Sequence, residues 1–170
     1  MTRMPTTLSM VLLLAGAAPT LAQDPAGQSG PSCKAIHATL VEDRSTTGCK
    51  PDQTFCFIGA VDGNQGLRGT TNFKGDSSVP TGPSTSPNFR IYSGPFEYTT
   101  ATGTLLMRST GVTHVVANLP DSGAVTEYQH VQSVTGEYAG VTGYLFVSGF
   151  NRSNHLETFV NGQLCWPPPQ

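Results

Sequence analysis

Apolar and polar residues alternate with a period of two in several stretches of this chain, most plainly at 35–42, A-I-H-A-T-L-V-E. Ile36, Ala38 and Leu40 fall on one side there, and His37, Thr39 and Val41 on the other. Such alternation with β-branched enrichment predicts a strand. Strands are expected on the same grounds at 55–62 and 67–73, joined through G-N-Q-G at 63–66, whose residues tolerate the positive φ of a tight hairpin. Turn chemistry fills the segment between the first two, D-R-S-T-T-G-C-K-P-D-Q-T. Residues 74–88 carry three prolines and no periodicity, which predicts a long surface loop. Beyond it, 89–101 reads as one or two strands broken near Gly94-Pro95. Further strands are expected at 103–110 and 112–119, a type I turn at 120–123 and a strand at 124–134.

The stretch 133–149, S-V-T-G-E-Y-A-G-V-T-G-Y-L-F-V-S-G, combines a turn, a strand and a repeat. Residues 138–145 read Y-A-G-V-T-G-Y-L and residues 98–105 read Y-T-T-A-T-G-T-L, both Y-x-x-x-T-G-x-L, with a looser copy at 66–73. A turn recurring at this spacing points to the geometry of neighbouring hairpins rather than to the chemistry of one site. Roughly eight short strands closing into an all-β, antiparallel up-and-down barrel are expected, since closure removes the edges that a sheet must otherwise protect.

The run G-E-Y-A-G-V-T-G-Y-L-F-V-S-G, followed by a hairpin and N-G-Q-L-C at 161–165, resembles the last three strands of the allene oxide cyclase and dirigent-like β-barrels and of small secreted bacterial proteins with that pattern. The match lies in the C-terminal forty or so residues, with a weaker echo at 96–111. The resemblance implies a calycin-like barrel of eight antiparallel strands with an apolar interior able to hold a small molecule. It brings no catalytic residue onto any position of this chain.

Composition narrows the setting. Arg3 precedes an apolar run at 8–18, and Thr20 and Ala22 suit the small-residue positions of a signal peptidase site, so cleavage is expected after Ala22. The run is too short to span a bilayer. The expected organisation is a signal peptide at 1–22, a disordered leader at 23–32, a barrel at 33–166 and a Pro-rich tail at 167–170, with Trp166 plugging one barrel end. Only 12% of the chain is charged and the net charge is −2. No basic face is available for nucleic acid and no Lys/Arg-rich amphipathic segment for a membrane surface. The four cysteines read as two disulfides of an oxidising compartment. Of the three pairings, Cys49–Cys56 and Cys33–Cys165 are favoured, the second tying the first strand to the last.

Candidate chemistry is sparse. His37, His114, His130 and His155 are dispersed, no metal-ligand spacing accompanies the cysteines, and G-x-S-x-G is absent. Neither a metal nor a cofactor is expected. Arg68, Glu97, Arg108 and Glu127 lie in mid-strand. If two of them met inside the barrel they would form a polar spot suited to ligand binding or acid–base chemistry. Alternation favours their facing water, since Glu97 lies between Phe96 and Tyr98, and Arg108 follows Met107. The leading functional expectation is a secreted, non-enzymatic barrel that binds a small apolar molecule or serves a structural role. The alternatives are a cofactor-independent isomerase or cyclase that confines a reactive intermediate, and a surface interaction module using 77–87.

Overall fold

The computed structural model describes residues 30–81, 88–115 and 122–168. Nine strands account for most of them: β1 Ser32–Ser45, β2 Cys56–Gly63, β3 Arg68–Phe73, β4 Ser77–Thr81, β5 Asn88–Thr100, β6 Thr104–Val115, β7 Gly123–Val134, β8 Thr142–Arg152 and β9 His155–Trp166. One turn of 3-10 helix, Gly136–Tyr138, precedes β8. Each strand pairs antiparallel with its neighbour, β9 returns to β1, and β3 pairs with β5. The result is a closed eight-stranded antiparallel barrel in the order β1-β2-β3-β5-β6-β7-β8-β9, with β4 as an extra strand on β5. Cys33–Cys165 and Cys49–Cys56 are both formed. The first lies across directly paired residues of β1 and β9, and the second bridges the 46–55 connection to the start of β2.

Strand alternation decides what fills the interior. Ile36, Leu40, Phe96, Met107, Leu145 and Val160 are buried in one continuous core, and each occupies the inward parity of its strand. Burying side chains of this size stabilises by about 1.5–3 kcal/mol each relative to exposure. The 3-10 turn brings Tyr138 into one end of the barrel, where Trp166 packs against the core and Lys34 Nζ lies 5.0 Å from the indole centroid. The connections β1–β2 and β8–β9 lie together at the other end. Among the described residues no helix is long and apolar enough to cross a membrane.

Several expected boundaries move. β1 begins at Ser32, so the leader cannot extend through that residue, and residues 1–29 lie outside the described residues. The expected loop at 74–88 contains β4, which pairs with the first half of β5 from Ser77↔Ser93 to Thr81↔Phe89. That removes half of the proposed 77–87 interaction loop into the sheet, and 82–87 lie outside the described residues. β5 is not broken at Gly94-Pro95; its partner changes there, from β4 up to Ser93 to β3 from Phe96 onward. Proline fits this junction because it has no N–H to leave unpaired. A side chain at Gly94 would place its Cβ 2.2 Å from the Lys74 carbonyl oxygen. The strands expected at 103–110 and 112–119 are one strand, β6, which runs through Gly111. The turn at 120–123 and residues 116–119 fall outside the described residues, apart from Ser122 and Gly123.

The Y-x-x-x-T-G-x-L echo is half structural. In both copies the T-G-x-L half leads into a strand, β6 or β8, whose leucine, Leu105 or Leu145, is buried. The tyrosines differ, because Tyr98 belongs to β5 and Tyr138 to the 3-10 turn.

Candidate functional site

Inside this apolar barrel lies a polar layer built from two rungs of the sheet. The first crosses β1, β2, β3 and β5 through Glu42↔Gly59, Gly59↔Thr71 and Thr71↔Tyr98. The second crosses β5, β6 and β7 through Tyr92↔Gly111 and Gly111↔Glu127. Each rung places a glycine between polar residues. A Cβ on Gly111 would lie 2.7 Å from the Tyr92 ring and 2.9 Å from Glu127 Cγ, so the glycine makes the space in which those side chains meet.

Three donors converge on Glu127. The Tyr92 hydroxyl donates to Oε1 at 2.7 Å, while the Ser109 hydroxyl at 2.7 Å and Gln129 Nε2 at 2.9 Å donate to Oε2. The Tyr98 hydroxyl, rooted in the first rung, reaches across to donate to Gln129 Oε1 at 2.7 Å. Glu127 is therefore an acceptor on every side, the pattern that suits a carboxylate. Glu42 sits differently. It is 3% exposed, and its hydrogen bond among the described residues comes from the Thr71 hydroxyl to Oε1, at 2.8 Å.

The electrostatics follow from this contrast. Burial pushes the Glu42 carboxyl from 4.5 up to about 8; the Thr71 hydrogen bond works against that rise, and the charge of Glu127 adds to it. Near neutral pH Glu42 is therefore mostly a carboxylic acid, whose hydroxyl donates rather than accepts. Burial, with the charge and hydrogen bond of Glu127, holds the Tyr92 phenol well above its usual range. Burial and then the charges of Glu42 and Glu127 do the same for Tyr98. The layer thus presents one neutral acid and two phenols beside one hydrogen-bonded acceptor. It can donate a hydrogen bond, or a proton, to an oxygen brought against Glu42.

Of the four residues singled out from sequence, only Glu127 belongs to this layer. Arg68 pairs outside with Asp62, Nε–Oδ1 2.7 Å, and Glu97 pairs with Lys50 at 2.7 Å. Arg108 makes a two-armed bond to Asp76, with Nη2–Oδ1 at 2.8 Å. These three do not meet Glu127, because the inward positions beside them belong to Leu67, Phe96, Tyr98 and Met107. The expectation that alternation turns all four to water holds for three of them and fails for Glu127, which is 5% exposed. Sequence reasoning missed Glu42, Thr71, Tyr92, Tyr98, Ser109 and Gln129 as site residues. Parity carried a signal for some of them: Glu42 continues the inward series Ile36, Ala38, Leu40, and Ser109 follows Met107 by two.

The histidines lie outside the layer. His37 Nδ1 meets Asn161 Oδ1 at 2.9 Å, His155 Nδ1 meets Asp43 Oδ1 at 2.7 Å, and the rings of His114 and His130 lie against Phe89 and Tyr128. Among the described residues no group of three or more His, Cys, Asp or Glu is placed to hold a metal ion. A groove of about 670 Å³ opens beside the Cys49–Cys56 loop, lined by Lys50, Ile58, Asn72 and Glu97 among others. A second, of about 620 Å³, lies against β1, β9, β8 and β7. No family model, no curated protein and no solved structure matches the chain.

Proposed function

We propose that this is an extracytoplasmic binding protein, non-enzymatic, whose ligand is a small, mainly apolar molecule with a carbonyl or ether oxygen that accepts a hydrogen bond from Glu42. The observation that carries the reading is the Glu42 carboxyl, buried, held as an acid near neutral pH and, among the described residues, given a hydrogen bond by the Thr71 hydroxyl. A buried titratable acid is costly to fold around, and groups so perturbed concentrate at binding sites. The apolar core fills much of the barrel, so the ligand is small and seats toward the end where the β1–β2 and β8–β9 connections lie, with only its oxygen reaching the layer. Two disulfides and the N-terminal apolar run at 8–18 support export.

Native mass spectrometry of the protein isolated from its own source tests this directly. A co-purifying mass that is retained by the native protein and lost from Glu42→Gln is the expected result. A ligand-free protein whose NMR spectrum does not respond to a panel of small ketones, lactones and ethers would remove the reading.

A second reading is favoured by the contrast between the two carboxyl groups, one a neutral acid and the other an acceptor held by three donors. Paired acidic groups in unlike surroundings are how enzymes divide acid and base roles. On this reading the protein is a cofactor-independent isomerase or cyclase in which Glu42 protonates an oxygen of the bound intermediate. Recovery of a rearranged form of the co-purified molecule after incubation, abolished in Glu42→Gln, would distinguish it from simple binding.

A further inference from the structure

The outer surface of β7, β8 and β9 is unusually apolar. Tyr128, Tyr144, Phe146, Phe150 and Phe159 all point away from the core and are between 40% and 63% exposed. Tyr128, Tyr144 and Phe146 form a ridge, with ring centroids 5.5 Å apart for Tyr128–Phe146 and 5.6 Å for Tyr144–Phe146. Beside it lies the groove of about 620 Å³, which Phe150 and Phe159 line together with Val41, Thr126 and Ser148. Ridge and groove are four residues apart on β8, about 13 Å at the usual strand rise of about 3.3 Å per residue.

We propose that this face is the interface of a homodimer with a two-fold axis passing near Ser148, so that the ridge of each copy enters the groove of the other. Three observations on the face select a second copy of this chain as the occupant. Ser148 lies midway between Phe146 and Phe150 on the outward parity of β8, so a rotation of half a turn about it exchanges ridge and groove, which is the requirement for a self-complementary contact. The outward positions between Ala124 and Tyr128 and between Tyr144 and Phe150 carry no charge, which offers nothing to an acidic or basic partner. The one charge lining the groove, Glu157, is paired with Arg152 and His155, and His155 in turn with Asp43. The area also suffices. Five aromatic side chains of about 150–250 Å² each, half exposed, contribute roughly 500 Å² per copy. Val41 and the intervening threonines bring that toward the roughly 800 Å² per partner of a stable interface. Monomeric proteins rarely leave so large a contiguous apolar patch in water.

Size-exclusion chromatography with light scattering at micromolar protein concentration provides the test. The protein is expected at twice its chain mass, Phe146→Glu and Phe159→Glu are expected as monomers, and Val79→Glu, an exposed apolar position on β4 away from the face, is expected to remain dimeric. Both substituted phenylalanines are half exposed or more, and an unchanged thermal transition confirms that the monomers are folded. A second measurement reads the axis itself. All four cysteines are in disulfides, so Ser148→Cys adds one free thiol per chain, and a short bis-maleimide is expected to join two copies through it. A face-to-face sheet spacing of about 10 Å is too wide for a direct disulfide but within reach of the linker. A monomer at every concentration, a mass of three or more chains, a monomer that binds phosphatidylcholine vesicles and releases them in Phe159→Glu, or a dimer that survives both glutamate substitutions would each overturn the proposal.

Discussion

Replacing Glu42 by glutamine removes one titrating proton from the barrel interior while keeping the oxygen that accepts from Thr71. In the folded protein the carboxyl titrates near 8, against 4.5 in the unfolded chain. Between those values the folded state holds a proton that the unfolded state has released, so stability must fall as pH rises. The decline starts near pH 4.5, levels off above about 8, and amounts to about 5 kcal/mol at 1.36 kcal/mol per pH unit, an upper bound. About 3 kcal/mol of this has been lost by pH 7. Glutamine does not titrate, so the stability of Glu42→Gln relative to the native protein should grow across this window. An unpaired donor on the new amide shifts its curve by about 1–2 kcal/mol at every pH without tilting it. Groups outside the layer, including Asp76 and His155, are common to both proteins and cancel in the difference. Urea unfolding followed by circular dichroism from pH 4.5 to 9, with disulfides intact, measures it. Parallel stability curves for the two proteins over that range would refute the burial argument and with it the proposed role of Glu42 as a neutral donor.

Three further outcomes follow from the same geometry. Glu127→Leu should cost about 3 kcal/mol or more, because Tyr92, Ser109 and Gln129 each lose a buried acceptor, whereas Glu127→Gln should cost clearly less; chemical denaturation of the pair measures the gap. Gly111→Ala should destabilise by about 1–3 kcal/mol through overpacking and change the near-ultraviolet circular dichroism of the tyrosines, since its Cβ would press on the Tyr92 ring. The paired Cys33→Ser/Cys165→Ser variant should lose about 5 kcal/mol and the Cys49→Ser/Cys56→Ser variant about 2, by loop-closure entropy for sequence separations of 132 and 7. Equal losses in thermal unfolding of those two variants would contradict the entropic account.

Much of the barrel was legible in the chain because a strand's two faces are written locally. The alternation of Ile36, Ala38 and Leu40 against His37, Thr39 and Val41 separated the two faces of β1, the first of which is the buried one, and Phe96 and Tyr98 on the inner face entailed that Glu97 faces outward. Of the three possible cysteine pairings, the two disulfides favoured from the sequence are the ones formed. The errors fell where local pattern is silent about pairing. Residues 77–81 lack periodicity and contain Pro80, yet they form β4, because the free edge of the first half of β5 supplies the partner. Gly94-Pro95 looked like a break and is where one continuous strand changes neighbours.

The candidate site was hidden for a sharper reason. In β7, Val125, Glu127, Gln129 and Val131 face inward while Tyr128 faces water, so a carboxylate is inside and an aromatic ring outside, the reverse of the usual hydrophobic assignment. β8 repeats the ambiguity, with Leu145 and Val147 inside and Phe146 and Phe150 outside. The sequence by itself determined a disulfide-linked, antiparallel β protein and the parity of its clearest strands, because period two and turn chemistry act over a few residues. Only the tertiary structure decided that Glu42 and Glu127 share one interior layer and that five aromatic rings share one outer face, because both depend on the register between strands far apart in the chain.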